Sequence, residues 1–486
     1  MLDHETNAYL CAPALSIEEL TAAPEKFLDL TITEMHSIPN GTLQEVHTRA
    51  LSEHFTAMVE RVPVLALLAE EQHVREISDI AQAGPLLLSH SVYKSYPLSV
   101  LENGRFDRLT RWLDKLTAHD LSALDASPCG SIDEWIDFLD ANTDIRVKHS
   151  SGTTGKLSFV PRSVSEMDTV AKGFMRFFEG FGDEPDAHLT GFESLPIIHA
   201  GYRHGAMGQA RLLDAVTRYF HGGDDSWVTT SNPGRLSADV LSLGGRIKGA
   251  EQRGELGKLK LAPGLLARRD AFEKEQAQSE ERTRAFFHDV ATRLRGRRVV
   301  ISGTVPQLVD LAEEGRKHGV MAAFAPDSLV HIAGGSKGRV LPDGYREQIV
   351  QFIGINAYPR LGYGMTEMVN ATHRACPLGQ YHFRPNIVPF IIDPETGEQL
   401  PRAGTRTGRF GFVDLAIKTH WGGFLTGDEV TLSFGDTPCG CGRTGAHVDP
   451  VIRRYSETEG GDDKITCAGA PDAHNRALDF ITRVAE

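Results

Sequence analysis

Apolar residues in roughly the first 145 positions recur at helical rather than alternating spacing, so this region reads as mostly helical. Three pairs reinforce that reading: Ser16 with Glu19, Thr42 with Glu45, and Ser131 with Glu134. Each has the form of a capping box, in which a hydroxyl accepts from an orphan helix amide while the carboxylate three residues on reaches back. The stretch 64–81 is also helix-like. Nothing before residue 145 suggests chemistry, and the region is expected to pack as a helical layer on a core. Beyond it the pattern changes. Short β-branched runs at 157–160, 297–302 and 328–333 alternate with helical segments at 163–180, 306–318 and 342–354. The first of these helices opens with Ser163 and Glu166 and carries Met167, Val170, Phe174 and Phe177 on one face. Such alternation predicts an α/β domain, with sheet layers covered by helices.

Residues 244–285 break the rhythm. They are rich in charge and glycine and read as a partly helical, solvated insertion. From 385 strands return: 388–393 and 409–418 flank the turn signal Asp393-Pro394-Glu395-Thr396-Gly397-Glu398, as in a hairpin-rich β subdomain. The expected organisation is therefore a helical region over 1–145, an α/β core over 146–384 and a β-rich part with a short tail over 385–486.

Charge narrows the partners. The chain of 486 residues carries a formal net charge of -14, which repels phosphate backbones and argues against nucleic acid. A small anionic ligand would need a locally positive or amide-lined pocket. No run of 18 apolar residues occurs, and acidic residues stand where a signal peptide carries positive ones, so no membrane span is expected. The six cysteines are scattered, which fits a reducing, cytoplasmic setting better than a disulfide framework.

The strongest motif supplies such a pocket. After His149 come Ser150, Ser151, Gly152, Thr153, Thr154, Gly155 and Lys156. Glycines let backbone amides approach an anion, and the hydroxyls and lysine complete a polyphosphate cradle. It is not a Walker A loop: Ser150 and Leu157 occupy the positions that pattern reserves for glycine and for Ser or Thr.

Residues 150–156 resemble the phosphate loop of the adenylate-forming superfamily of acyl- and aryl-CoA synthetases, luciferases and peptide-synthetase adenylation domains. Leu195-Pro196-Ile197-Ile198-His199 is similar to its LPxxH segment, Tyr363-Gly364-Met365-Thr366-Glu367 to YGxTE, and Thr426-Gly427-Asp428 to TGD, in the superfamily's order. Gly334-Gly335-Ser336-Lys337, after the run 328–333, resembles the glycine-rich adenine loop in the form found in bacterial-luminescence acyl-protein synthetases. With the turn at 393–398 and Cys439-Gly440-Cys441-Gly442-Arg443-Thr444-Gly445, it points to the phenylacetate–CoA ligase branch.

The resemblance implies the large domain of that fold and a carboxylate attacking the α-phosphorus of ATP. Lys156 would grip the β- and γ-phosphates, Glu367 would hold Mg²⁺, Thr366 would contact phosphate, and Asp428 would accept from the ribose hydroxyls. Gly334, Gly335, Ser336, Tyr363, Gly364 and Met365 would surround the adenine. His199 is either near the forming acyl phosphate or a satisfied core histidine.

Two departures stand out. The hinge arginine is missing from Glu459-Gly460-Gly461-Asp462-Asp463-Lys464-Ile465, leaving Arg443, Arg453 and Arg454 as substitutes. The sequence ends at Glu486, 22 residues past Lys464, so the C-terminal lid domain is expected to be absent. The acyl acceptor is then expected to be CoA, a carrier-protein thiol or the chain's own Cys467. The alternatives are an acyl- or aryl-CoA ligase completed by a partner chain, and a decayed nucleotide-binding subunit. Finally, Cys376, Cys439 and Cys441 with one histidine, His382 or His447 being near, form a candidate Zn²⁺ site.

Overall fold

The computed structural model describes residues 15–455 apart from 90, 151–155, 185–188, 190, 255–256, 258–276, 333–338 and 370–372. Ser151, Gly152, Thr153, Thr154, Gly155, Gly334, Gly335, Ser336 and Cys467 therefore lie outside the described residues.

Helices prevail as far as Asn142. Ser16 and Glu19 form the expected capping box on the helix Ile17–Ala22. Thr42 and Glu45 do not: the helix Asn40–Val59 begins earlier, with Pro39 at its N-cap, so both lie inside it. Proline's fixed φ makes it a ready helix start. Ser131 accepts from the Glu134 amide, but the Glu134 carboxylate takes the Gly130 amide, one residue outside a true box. The helix-like stretch 64–81 ends early as well. Its helix is Pro63–Glu71, and His73, at φ 55°, breaks the path before a 3₁₀ turn at Ile80–Leu86. Strand β1 (Leu88–Ser89) leaves this layer, and the hairpin of β2 (Lys148–His149) and β3 (Phe159–Val160) follows it.

The predicted α/β alternation appears as a parallel sheet of β4 (Ile197–Gly205), β5 (Val228–Leu236), β6 (Val300–Gly303) and β7 (Leu329–Ile332), in the order β5-β4-β6-β7. Side chains alternate across it, as the two-residue strand period requires. Ile197, Val300 and Leu329 pack with Met167, Val170, Phe174 and Phe177 of the helix Val164–Phe177 and with the helix Gly208–His221. Ile198, Ile301 and Val330 pack on the opposite side with Phe286, Leu308 and Phe352, from the helices Ser279–Ala291, Val305–Lys317 and Tyr345–Ile353. One expectation is overturned. The helix Ala238–Arg253 buries Ile247 and Ala250 along with Val240 and Leu243, so the start of 244–285 is core and not solvated.

In the β-rich part, β8 (Gly362–Tyr363) pairs with β9 (His373–Arg374). Strands β10 (Tyr381–His382), β11 (Ile387–Ile392), β12 (Thr405–Asp414), β13 (Gly423–Ser433), β14 (His447–Val448) and β15 (Arg453–Arg454) build the second sheet. Its order is β10-β14-β13-β12-β11, with β15 and the distant β1 both on β13. The run 409–418 ends as a strand at Asp414, whose buried carboxylate accepts from Val369 N, Asn386 Nδ2 and Ala416 N and turns the chain. No described helix is long and apolar enough to cross a membrane.

Candidate nucleotide site and thiol cluster

The β2–β3 hairpin positions Ser150 and Lys156, the two ends of the motif. Ser150 N donates to Ser158 O, and the Ser150 hydroxyl accepts from Ser158 N at 3.1 Å. His149 N donates to Ala206 O, tying the hairpin to the end of β4. The Lys156 ammonium sits 5.5 Å from the centre of the Tyr96 ring, whose hydroxyl donates to Leu157 O. Partial burial and the nearby Lys94 charge lower the Lys156 pKa. The helical region thus contributes to the site after all.

Thr366 and Glu367 follow β8 and are held from below by Arg162. This guanidinium, fully buried, donates to Thr366 O at 3.1 Å and Glu367 O at 2.6 Å. Its other terminal nitrogen lies 2.5 Å from His420 Nε2, and His420 Nδ1 lies 2.7 Å from the Tyr93 hydroxyl and 3.1 Å from Gly422 N. Val369 is anchored by Asp414 on the far side of the turn. Burial raises the Glu367 pKa, against the pull of Arg162, Lys148 and Arg454. The Glu367 carboxylate therefore lies among cations in an acidic chain, the setting a bound anion with its metal requires. Lys148, fully buried on β2, and Arg162 carry no motif signature and were not legible in the sequence.

Asp428 stands at the middle of β13, its carboxylate accepting from the Tyr363 hydroxyl at 2.9 Å. Burial, with Asp428 beside it, raises the tyrosine pKa well above its ordinary value. Opposite Asp428 in register is Arg454, with Nε 3.4 Å from Oδ1. Of the three substitutes for the hinge arginine, Arg454 is therefore at the acid. Arg443 instead pairs with Glu184, and Arg453 with Glu429. Gly364 and Met365 lie on the turn between Tyr363 and Thr366, half-buried.

His199 has different neighbours. Its Nδ1 donates to the Ser302 carbonyl at 2.9 Å across β4–β6, and burial lowers its pKa to about 4. The ring is thus neutral, with Nε2 as an acceptor. A Cβ on Gly201 would fall 2.7 Å from that nitrogen and 2.8 Å from Gln307 Nε2, so only glycine fits there.

The candidate metal ligands do converge. One ligand atom each from Cys376, His382, Cys439 and Cys441 lies within 4.8 Å of all the others. Two tight turns bring them together: Gly379 N donates to Cys376 O, and Gly442 N to Cys439 O, with both glycines at positive φ. The fourth member is His382 rather than His447, which stacks on it with ring centres 4.8 Å apart. His382 Nε2 lies 3.5 Å from Cys441 Sγ, while Nδ1 is buried without a partner. Burial and the adjacent Cys439 push the Cys441 thiol up to about 12, against a backbone hydrogen bond near Arg443. Crowded thiols of this kind become thiolates readily only around a cation. A tetrahedral Zn²⁺ site with arms of about 2.3 Å has edges of about 3.8 Å, so the donor set fits zinc with a small contraction.

No family model matches the chain. The phenylacetate–coenzyme A ligase of Thermus thermophilus is 28% identical over 167 residues, 32% of this chain and 34% of the ligase, so the match spans about a third of that relative. A crystal structure of 2-hydroxyisobutyryl-CoA ligase, in an open conformation with 2-HIB-AMP and CoA, aligns with 93% of this chain and 81% of that one. Its TM-score is 0.51 at 14% identity, a likeness of fold.

Proposed function

The chain has the fold of the adenylate-forming enzymes, and from that premise we propose that it activates a carboxylic acid with ATP and passes the acyl group to a thiol. A carboxylate oxygen attacks the α-phosphorus. The bond from that phosphorus to the bridging oxygen breaks, and pyrophosphate leaves with the electron pair. The thiol, losing its proton to solvent, then adds its sulfur to the acyl carbon, the bond from that carbon to the phosphate oxygen breaks, and AMP leaves with the electron pair. CoA is the favoured acceptor, by analogy with the two ligases; a carrier-protein thiol or Cys467 is the alternative.

One observation carries the reading. Motif segments far apart in the chain meet at one place: Tyr363 bonds Asp428, and Arg162, just past the phosphate-loop hairpin, holds the carbonyls of Thr366 and Glu367. In this assignment Ser150 through Lys156 bind the terminal phosphates, and Thr366 contacts phosphate. Gly334, Gly335 and Ser336 with Tyr363, Gly364 and Met365 border the adenine. Asp428, steered by Arg454, accepts from the ribose hydroxyls. Glu367 would hold Mg²⁺, which supplies charge neutralisation on the phosphates when bound. His199, neutral, helps to position the acid without adding charge. Cys376, His382, Cys439 and Cys441 would hold a structural zinc. The domain organisation proposed is the helical layer to 145, the nucleotide core to 384 and the β-rich part beyond.

The test is acid-dependent exchange of labelled pyrophosphate into ATP, over fatty, aryl and amino acids. At least one acid should support exchange, and Glu367→Gln should abolish it with the melting curve unchanged. Near-normal exchange in that variant would remove Glu367 from the metal site.

A further inference from the structure

Lys148 precedes the phosphate loop by two positions and is only 2% exposed. Among the described residues no side-chain hydrogen bond or ion pair of Lys148 is seen, and charged groups act on it only from a distance. A buried ammonium with no partner among the described residues is strongly disfavoured unless an anion meets it, and methionine would serve packing as well. The charges that act on it come from every side: Arg162 and Arg211 oppose its protonation, while Glu367 and Glu166 favour it. With burial, the balance holds its pKa down to about 7. An anion placed against it would restore its full charge.

The helix Gly208–His221 points its amino end at the same place. Its N-cap, Met207, pairs with His149 through the backbone and offers no side-chain cap to the first turn, where the positive end of the helix dipole lies. Next along, both amide atoms of Gln209 are buried without a partner. The absence of a side chain at Gly208 keeps a gap open. A Cβ there would sit 3.9 Å from Lys148 Cε and 4.0 Å from Thr366 Oγ1, so it would occupy the space in which the lysine and the threonine face each other.

We propose that Lys148, the amino end of the helix Gly208–His221 and Thr366 form a second anion subsite, separate from the 150–156 loop, which binds a phosphate oxygen of the nucleotide at the reacting centre. Lys148 is then a catalytic residue. Its ammonium stays protonated and meets the negative charge that builds on the phosphate as the carboxylate adds and pyrophosphate departs. The subsite rests on the reading that this chain binds ATP.

The test compares MgATP with adenosine by titration calorimetry on the full chain, in Lys148→Met and Gly208→Ala. The first removes the charge but fills the same space. The second keeps the charge and places a methyl group in the gap without a clash. Each should weaken MgATP binding about 10- to 100-fold and leave adenosine affinity unchanged. Lys148→Met should also melt no lower than the wild type, because it removes a buried cation that no described residue pairs, and exchange should slow by about 100-fold in kcat. Unchanged MgATP affinity, or equal losses for MgATP and adenosine, would overturn the subsite. A rise confined to the KM of the acid would likewise overturn it, by giving Lys148 to the carboxylate. If the wild type binds MgATP but exchanges with no acid, the adenylation reading falls while the MgATP-to-adenosine ratio still decides the subsite. If it binds no MgATP, both fall.

Discussion

Replacing Arg162 with methionine should damage the site from beneath. The guanidinium is wholly buried and makes two charge-assisted bonds to the carbonyls of Thr366 and Glu367 and a third to His420. Bonds to a charged donor contribute about 1.5–3 kcal/mol each. Their loss would leave two part-buried carbonyls unpaired, whereas relief of the buried cation offsets part of the cost. Removing one partner of a buried charged group typically costs about 3–5 kcal/mol, and the lower end of that range is expected here. The catalytic effect should be larger than the stability loss suggests, because a shift of about 1 Å in a positioned group costs about 100-fold in rate. Thermal melting and pyrophosphate exchange, both for Arg162→Met and Arg162→Lys, separate the two effects. Lysine keeps the charge, but its single ammonium cannot hold both carbonyls and His420 at once, as the two terminal nitrogens of the guanidinium do. It should therefore recover much of the stability and little of the rate. A methionine variant with an unshifted melting curve and wild-type exchange would refute the clamp.

Asp428→Ala should weaken ATP binding by about 10-fold or more and lower the melting temperature only modestly; the reverse pattern would make Asp428 a structural carboxylate. Purified protein washed with chelator should retain about one zinc per chain, and Cys441→Ser should lose it and melt earlier; less than about a tenth of an equivalent in the wild type would contradict the metal site. The pair Asp133 and Asp239 should make stability depend on pH. Asp239 accepts from the Ile132 and Asp133 amides, and burial with the facing Asp133 raises its pKa. The folded state therefore keeps a proton that the unfolded chain loses above about pH 4, so this pair's contribution falls as pH rises from there. Asp239→Asn should flatten that slope in melting curves between pH 4 and neutrality, and an unchanged slope would rule the pair out.

The motif segments stand out in the sequence because the chemistry proposed for them demands particular residue types in contiguous runs, and the α/β alternation was legible because two-residue and helical periods survive in sequence. Arg162, Lys148 and Tyr93 were not, because what marks them is contact: Arg162 reaches residues 366, 367 and 420, which no local period connects. The choice of His382 over His447 was also beyond sequence, since antiparallel pairing of β10 with β14 sets the two opposite each other and only turn geometry selects the first. Thr42 and Glu45 failed as a cap because Pro39 had already begun the helix. The stretch 64–81 failed because its apolar spacing outlasts the helix that His73 ends.

Attack of a carboxylate on the α-phosphorus is the central claim, and an isotope follows it directly. The acid that supports exchange is prepared with ¹⁸O in its carboxyl group and turned over with MgATP and a thiol acceptor, and the AMP is analysed by mass spectrometry. One ¹⁸O should appear in the AMP phosphate, carried there by the oxygen that bridged the acyl-adenylate. Unlabelled AMP, or ADP and inorganic phosphate in place of AMP and pyrophosphate, would contradict it.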